Sequence, residues 1–130
     1  MTIAIEKPAL SAAAAKFLAK PDGPRVGALA LDGWDTHVNE GLVDGRLSQL
    51  LGALDGALGA VETNMGAAWS ETVVTLITEF GRTARINGSA GTDHGTATVA
   101  LLLGGALKGD RKSTRLNSSH RSLSRMPSSA

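Results

Sequence analysis

The 130-residue chain has no cysteine and no tyrosine, only two tryptophans and two phenylalanines, and almost no net charge at +1. The missing cysteine excludes disulfides and thiolate metal sites, and leaves redox usage silent about the compartment. The near-neutral balance excludes a chain that grips nucleic acid through overall basicity, and equally an acidic tail. The positive charge is also uneven. Residues 110–130 hold five Lys/Arg against one Asp, a local +4 that leaves −3 over residues 1–109. No run approaches the roughly 18 consecutive apolar residues of a membrane span. The start, MTIAIEKPAL, lacks the basic region and apolar core of a signal peptide. What remains is a composition 42% hydrophobic and 19% charged, that of a globular chain of at most one domain.

Alternating elements are legible over residues 1–109. PALSAAAAKFLAK, Pro8 to Lys20, is alanine-rich with proline near its beginning and predicts a helix, which PDGP then breaks. RVGALAL, Arg25 to Leu31, is a short apolar run bounded by turn residues and reads as a strand buried on both faces. Leu47, Leu50, Leu51, Leu54, Leu58 and Val61 recur at helical spacing and predict an amphipathic helix, weakened by Gly52, Gly56 and Gly59. TVVTLIT, Thr72 to Thr78, and TATVALLL, Thr96 to Leu103, predict two further buried strands. Helices alternating with such strands argue for an α/β sheet, parallel between the first two strands.

Polar chemistry is concentrated in two knots: LDGWDTHVNE at Leu31–Glu40 and ITEFGRTARINGSAGTDHG at Ile77–Gly95. Each follows an apolar run. In open α/β sheets the functional crevice lies beyond the carboxyl ends of the strands, so the knots are expected to meet there. Asp35, His37, Glu79, Asp93 and His94 would then bring three carboxylates and two imidazoles together. That donor set without thiolate suits zinc, manganese or iron, whereas oxygen alone would suit magnesium or calcium. Plainer readings stand beside this one. Asp35 and Thr36 can cap the segment that follows, Glu79 can pair with Arg82, and Trp34 can line the core or a pocket. NGSAG, Asn87 to Gly91, is first of all a flexible turn, with a weaker reading as an anion cradle.

GWDTHVNEGLVDGRLSQLLGALDGAL, TLITEFGRTARINGSAGTDHG and LLLGGALKG, in this order, resemble the carboxyl-terminal part of a bacterial family of generally exported proteins, the domain-of-unknown-function 1501 family. That family is similar in fold to alkaline phosphatases, sulfatases and cofactor-independent phosphoglycerate mutases. The resemblance implies an α/β fold: a partial, truncated alkaline-phosphatase-like sheet flanked by helices over residues 1–109. It implies a divalent metal held by Asp35 and His37, by Glu79 at the acidic position after the second strand, and by His94 with Asp93 beside it. Arg82 would clamp an anionic oxygen, since a guanidinium forks onto such groups.

The implied activity is metal-assisted hydrolysis of a phosphate or sulfate ester, in a periplasmic or exported protein acting on an anionic small molecule, with no nucleic acid or membrane partner. Two departures qualify it. Glu79-Phe80 stands where the superfamily has an Asp-His doublet, and the nucleophile belongs to an amino-terminal half that this chain lacks, so the chain alone is expected to be inactive. A non-catalytic exported domain that binds metal, or is purely structural, is the alternative. DRKSTRLNSSHRSLSRMPSSA, residues 110–130, is Ser- and Arg-rich and aperiodic, expected to be disordered, and resembles a translated sequencing adapter.

Overall fold

The computed structural model describes residues 3–108, so the expectations for the tail lie outside the described residues. Within them the chain is mixed α/β. Helix α1 spans Ile3–Leu18 and α2 spans Arg46–Met65, continued by a 3₁₀ helix at Gly66–Glu71. Four short strands follow: β1 Val74–Leu76, β2 Gly81–Ile86, β3 Thr92–Gly95 and β4 Leu101–Leu103.

The two helices pack on each other and carry the core. From α1 come Ser11 and Ala15, and from α2 Leu50, Ala53, Ala57 and Met65, all buried. These positions fall at helical spacing, but the face they define differs from the expected leucine stripe. Leu51 is exposed and Leu47, Leu54 and Leu58 are half-buried, while alanines occupy the centre. Small side chains let the helix backbones approach closely, and a Cβ added at Gly56 would lie only 3.5 Å from Pro8 Cγ. Pro8 therefore lies within α1 against α2, not at its start, and the helix begins five residues earlier than its proline suggests.

The strand expectations hold only in part. Thr72–Thr78 and Thr96–Leu103 each supply a strand, but these pair antiparallel as β1 and β4, with Val74 opposite Leu103 and Leu76 opposite Leu101. The run Arg25–Leu31 forms no strand. An apolar stretch becomes a strand only where another backbone lies alongside to take its N–H and C=O groups. Among the described residues none does, and Val26 is left 85% exposed. The expected parallel pairing of the first two strands therefore does not occur.

The second sheet, β2 with β3, is an antiparallel hairpin with no apolar signature in the sequence. Arg82 stands opposite His94 and Gly81 opposite Gly95, with an irregularity before Ile86 pairs with Thr92. Asn87–Gly91 makes the connecting turn: Asn87 N donates to Gly91 O at 2.9 Å, and Asn87 Oδ1 accepts from Ser89 N and Gly91 N at 2.9 and 3.0 Å.

Candidate metal centre

The first polar knot is an irregular segment, residues 32–40, held at both ends. Lys7 on α1 donates through Nζ to the Asp32 carbonyl at 2.6 Å, and its ammonium lies 5.7 Å from the centre of the Trp34 ring. At the other end the segment is stitched to the β2–β3 turn. Asn39 N donates to Ser89 O at 2.9 Å, Glu40 N to Ala90 O at 3.0 Å and Thr92 N to Thr36 O at 3.3 Å. The Thr92 hydroxyl adds a bond to Glu40 Oε2 at 2.9 Å. Gly91 is buried where the two backbones meet, and a Cβ there would lie 2.6 Å from the Thr36 carbonyl oxygen and closer still to that of His37. Only glycine permits this approach. Sequence distance is thereby erased, and Asp35 faces the hairpin.

Opposed residues on an antiparallel pair share a face, so the Arg82–His94 register aims both side chains the same way. Both reach Asp35. Its Oδ1 meets His94 Nε2 at 2.8 Å, His37 Nε2 at 2.9 Å and Arg82 Nη2 at 2.9 Å. Phe80, just before β2, stacks on the His94 ring at 4.2 Å and 14°, and the Arg82 guanidinium lies 5.0 Å from the Phe80 ring centre.

The Asp35 carboxyl is lowered below its ordinary value, first by the hydrogen bond with His94, against an opposing desolvation, and then by the charges of His37, His94 and Arg82. Asp93 is lowered likewise, first by its hydrogen bond from Asn87 and then by that with His37. Both carboxylates are therefore ready as anions.

Asp35, His37 and His94 each offer a ligand atom, and the three atoms lie within 4.8 Å of one another. Two imidazole nitrogens and a carboxylate oxygen suit zinc, manganese or iron(II), and three protein ligands leave positions open for water or substrate. The side chains of His37, Asp35 and His94 are 41, 55 and 49% exposed, so those positions face solvent. The residues present fit a divalent ion.

The sequence-based site residues divide accordingly. Asp35, His37 and His94 converge. Asp93 is adjacent, but meets the other ring nitrogen of His37, its Oδ1 lying 3.3 Å from Nδ1. Asp93 and His94 lie on strand β3, not in a connection. Glu79 stands outside the three-atom group, exposed in the link between β1 and β2. Arg82 pairs with Asp35, not with Glu79, and its two terminal nitrogens also bond the Trp34 and Thr92 carbonyls. Asp35 caps no helix, since α2 begins at Arg46 behind Gly45 with no side-chain cap.

Three contributors escaped the sequence reading. Lys7 lies just before the expected helix, and Phe80 is marked only as standing where the superfamily has a histidine. Asn87 signalled a turn or, more weakly, an anion cradle, yet its amide nitrogen bonds the His37 carbonyl and Asp93 Oδ1, each at 2.9 Å.

No helix among the described residues is long and apolar enough to cross a membrane. Comparison with curated proteins and with solved structures finds no match. Residues 6–117 match a family described as a protein of unknown function, DUF1501. With most of its length matched, the chain belongs to the DUF1501 family.

Proposed function

We propose that this chain supplies a divalent-metal centre to an exported hydrolase of phosphate or sulfate esters, with the nucleophile provided from outside residues 1–109. The supporting observation is the convergence of Asp35, His37 and His94 from two distant knots onto one point. The superfamily likeness expected from the sequence motifs supplies the reaction class. A bound divalent ion would contribute Lewis acidity toward an ester oxygen and acidify a bound water.

The chain's own residues prepare the place. Asp35 brings the negative charge that attracts a cation, and Arg82 orients its carboxylate by donating to Oδ1 at 2.9 Å while anchored on the Trp34 carbonyl at 2.7 Å. Phe80 sets the plane of the His94 ring by stacking. The exposure of all three donors leaves room for an anionic substrate to approach.

A second reading is a single-ion site without catalysis. It is favoured by Glu79 lying outside the cluster, which leaves donors for one ion where paired-metal hydrolysis needs two. Metal content by elemental mass spectrometry tests both. The 130-residue chain, reloaded with zinc, manganese or iron(II), is expected to hold one equivalent, lost in Asp35→Ala and in His94→Ala. Absence of stoichiometric metal in the parent chain would dismiss both readings. Metal uptake without turnover of aryl phosphate or sulfate esters by a longer chain that includes the nucleophile half would select the second.

A further inference from the structure

We infer that Asp93, held by Asn87, is a positioning residue that fixes the proton of His37, and is not itself a metal ligand. This rests on the metal reading above. The ring of His37 lies between two carboxylates, with Nε2 2.9 Å from Asp35 Oδ1 and Nδ1 3.3 Å from Asp93 Oδ1. A neutral imidazole carries one N–H and one lone pair. An ion shared with Asp35 and His94 requires the lone pair on Nε2, because that nitrogen is the one facing Asp35. The proton then sits on Nδ1, and Asp93 is the acceptor facing it. Asp93 Oδ1 is thus placed behind the ring, on the nitrogen opposite the ion's position.

Hydrogen bonds hold Asp93 at the back of the ring. Asn87 Nδ2 donates to its Oδ1 at 2.9 Å, and the Asp93 backbone amide donates to Thr83 Oγ1 at 3.2 Å. The orientation of the Asn87 amide is fixed in turn. Its oxygen faces the N–H groups of Ser89 and Gly91, and its nitrogen faces the His37 carbonyl and the Asp93 carboxylate. One asparagine therefore holds the backbone of His37 and the carboxylate that directs its ring. Such outer partners fix a ligand's tautomer and raise its basicity, and their loss typically weakens metal binding about 10–100-fold. His94 is held by a different device, the stack on Phe80, so the two histidines are expected to respond separately to mutation.

The test titrates zinc and manganese ions into the full 130-residue chain and its Asp93→Asn and Asp93→Leu variants by calorimetry. It also follows the His37 ring N–H by ¹⁵N-edited NMR in the metal-loaded state. Positioning predicts ligation through Nε2, a hydrogen-bonded, slowly exchanging Nδ1–H, affinity lowered about 10–100-fold in Asp93→Leu, and rescue to within several-fold by Asp93→Asn, whose amide oxygen still accepts. Equal abolition of binding in both variants would overturn the inference, since a coordinating carboxylate is lost in each. Unchanged affinity and an unchanged Nδ1–H signal in Asp93→Leu would overturn it as well. A parent chain that takes up neither ion would instead refute the metal reading on which it rests.

Discussion

Replacing Gly91 with alanine should loosen the junction that assembles the site. The added Cβ would lie 2.6 Å from the Thr36 carbonyl oxygen, with the His37 carbonyl closer. Restoring an ordinary contact of roughly 3.4 Å requires the two backbones to part by at least about 0.8 Å at Thr36 and by more at His37. The neighbouring Thr92 N to Thr36 O bond is already 3.3 Å long and would exceed hydrogen-bonding range. Forcing a methyl group into packed backbone typically costs about 1–3 kcal/mol. For a domain of this size that corresponds to a fall in Tm of roughly 5–15 °C. Gly88, three residues earlier in the same turn, has nothing within 4 Å of an added Cβ and serves as the control. Thermal unfolding by circular dichroism, with and without zinc, should show Gly91→Ala melting well below Gly88→Ala, and zinc should protect Gly91→Ala less. Equal melting temperatures would refute the argument that close backbone approach at Gly91 builds the site.

Gly52 and Gly59 on α2 also have nothing within 4 Å of an added Cβ, so Gly52→Ala and Gly59→Ala should each stabilise the chain by up to about 1 kcal/mol, read as a higher urea midpoint at unchanged slope. The two lowered carboxyls predict the acid response. A carboxyl lowered in the folded state favours folding fully above its unfolded value, and that contribution disappears as pH falls from there through the folded value. Stability of the metal-free chain should therefore lose the aspartate contribution only below about pH 4, and Asp35→Asn should flatten that limb. A limb unchanged by Asp35→Asn would assign the acid sensitivity to other groups.

How far the sequence reveals this arrangement depends on which force shapes each part. The convergence of Asp35, His37 and His94 was legible because chemistry-bearing residues in an alanine- and leucine-rich chain have few other reasons to cluster. The turn at Asn87–Gly91 was legible from its backbone preferences. Arg25–Leu31 was misread because an apolar run reports burial tendency but not whether a partner strand lies beside it. The β2–β3 hairpin was missed because GRTARI and TDHG are short, mostly polar and largely exposed, with no apolar run or regular alternation to mark a strand. Glu79 lies outside the three-residue group for a related reason. Its expected role depended on a strand end facing the crevice, whereas β1 stops at Leu76 and the hairpin, beginning at Gly81, carries the site. The α2 face was rotated because the leucines drew attention from the alanines that set the distance between helices.

Asp35 and His94 lie 59 positions apart in the chain, and no cysteine is available to hold such a span closed. An ion gripped by both would act as a removable cross-link. Like a disulfide across a loop of that length, it would restrict the unfolded ensemble, but it would respond to metal supply and chelation instead of redox potential. The same few side chains would then govern when this chain is rigid as well as what it binds, making local metal availability a condition for its persistence as a folded unit.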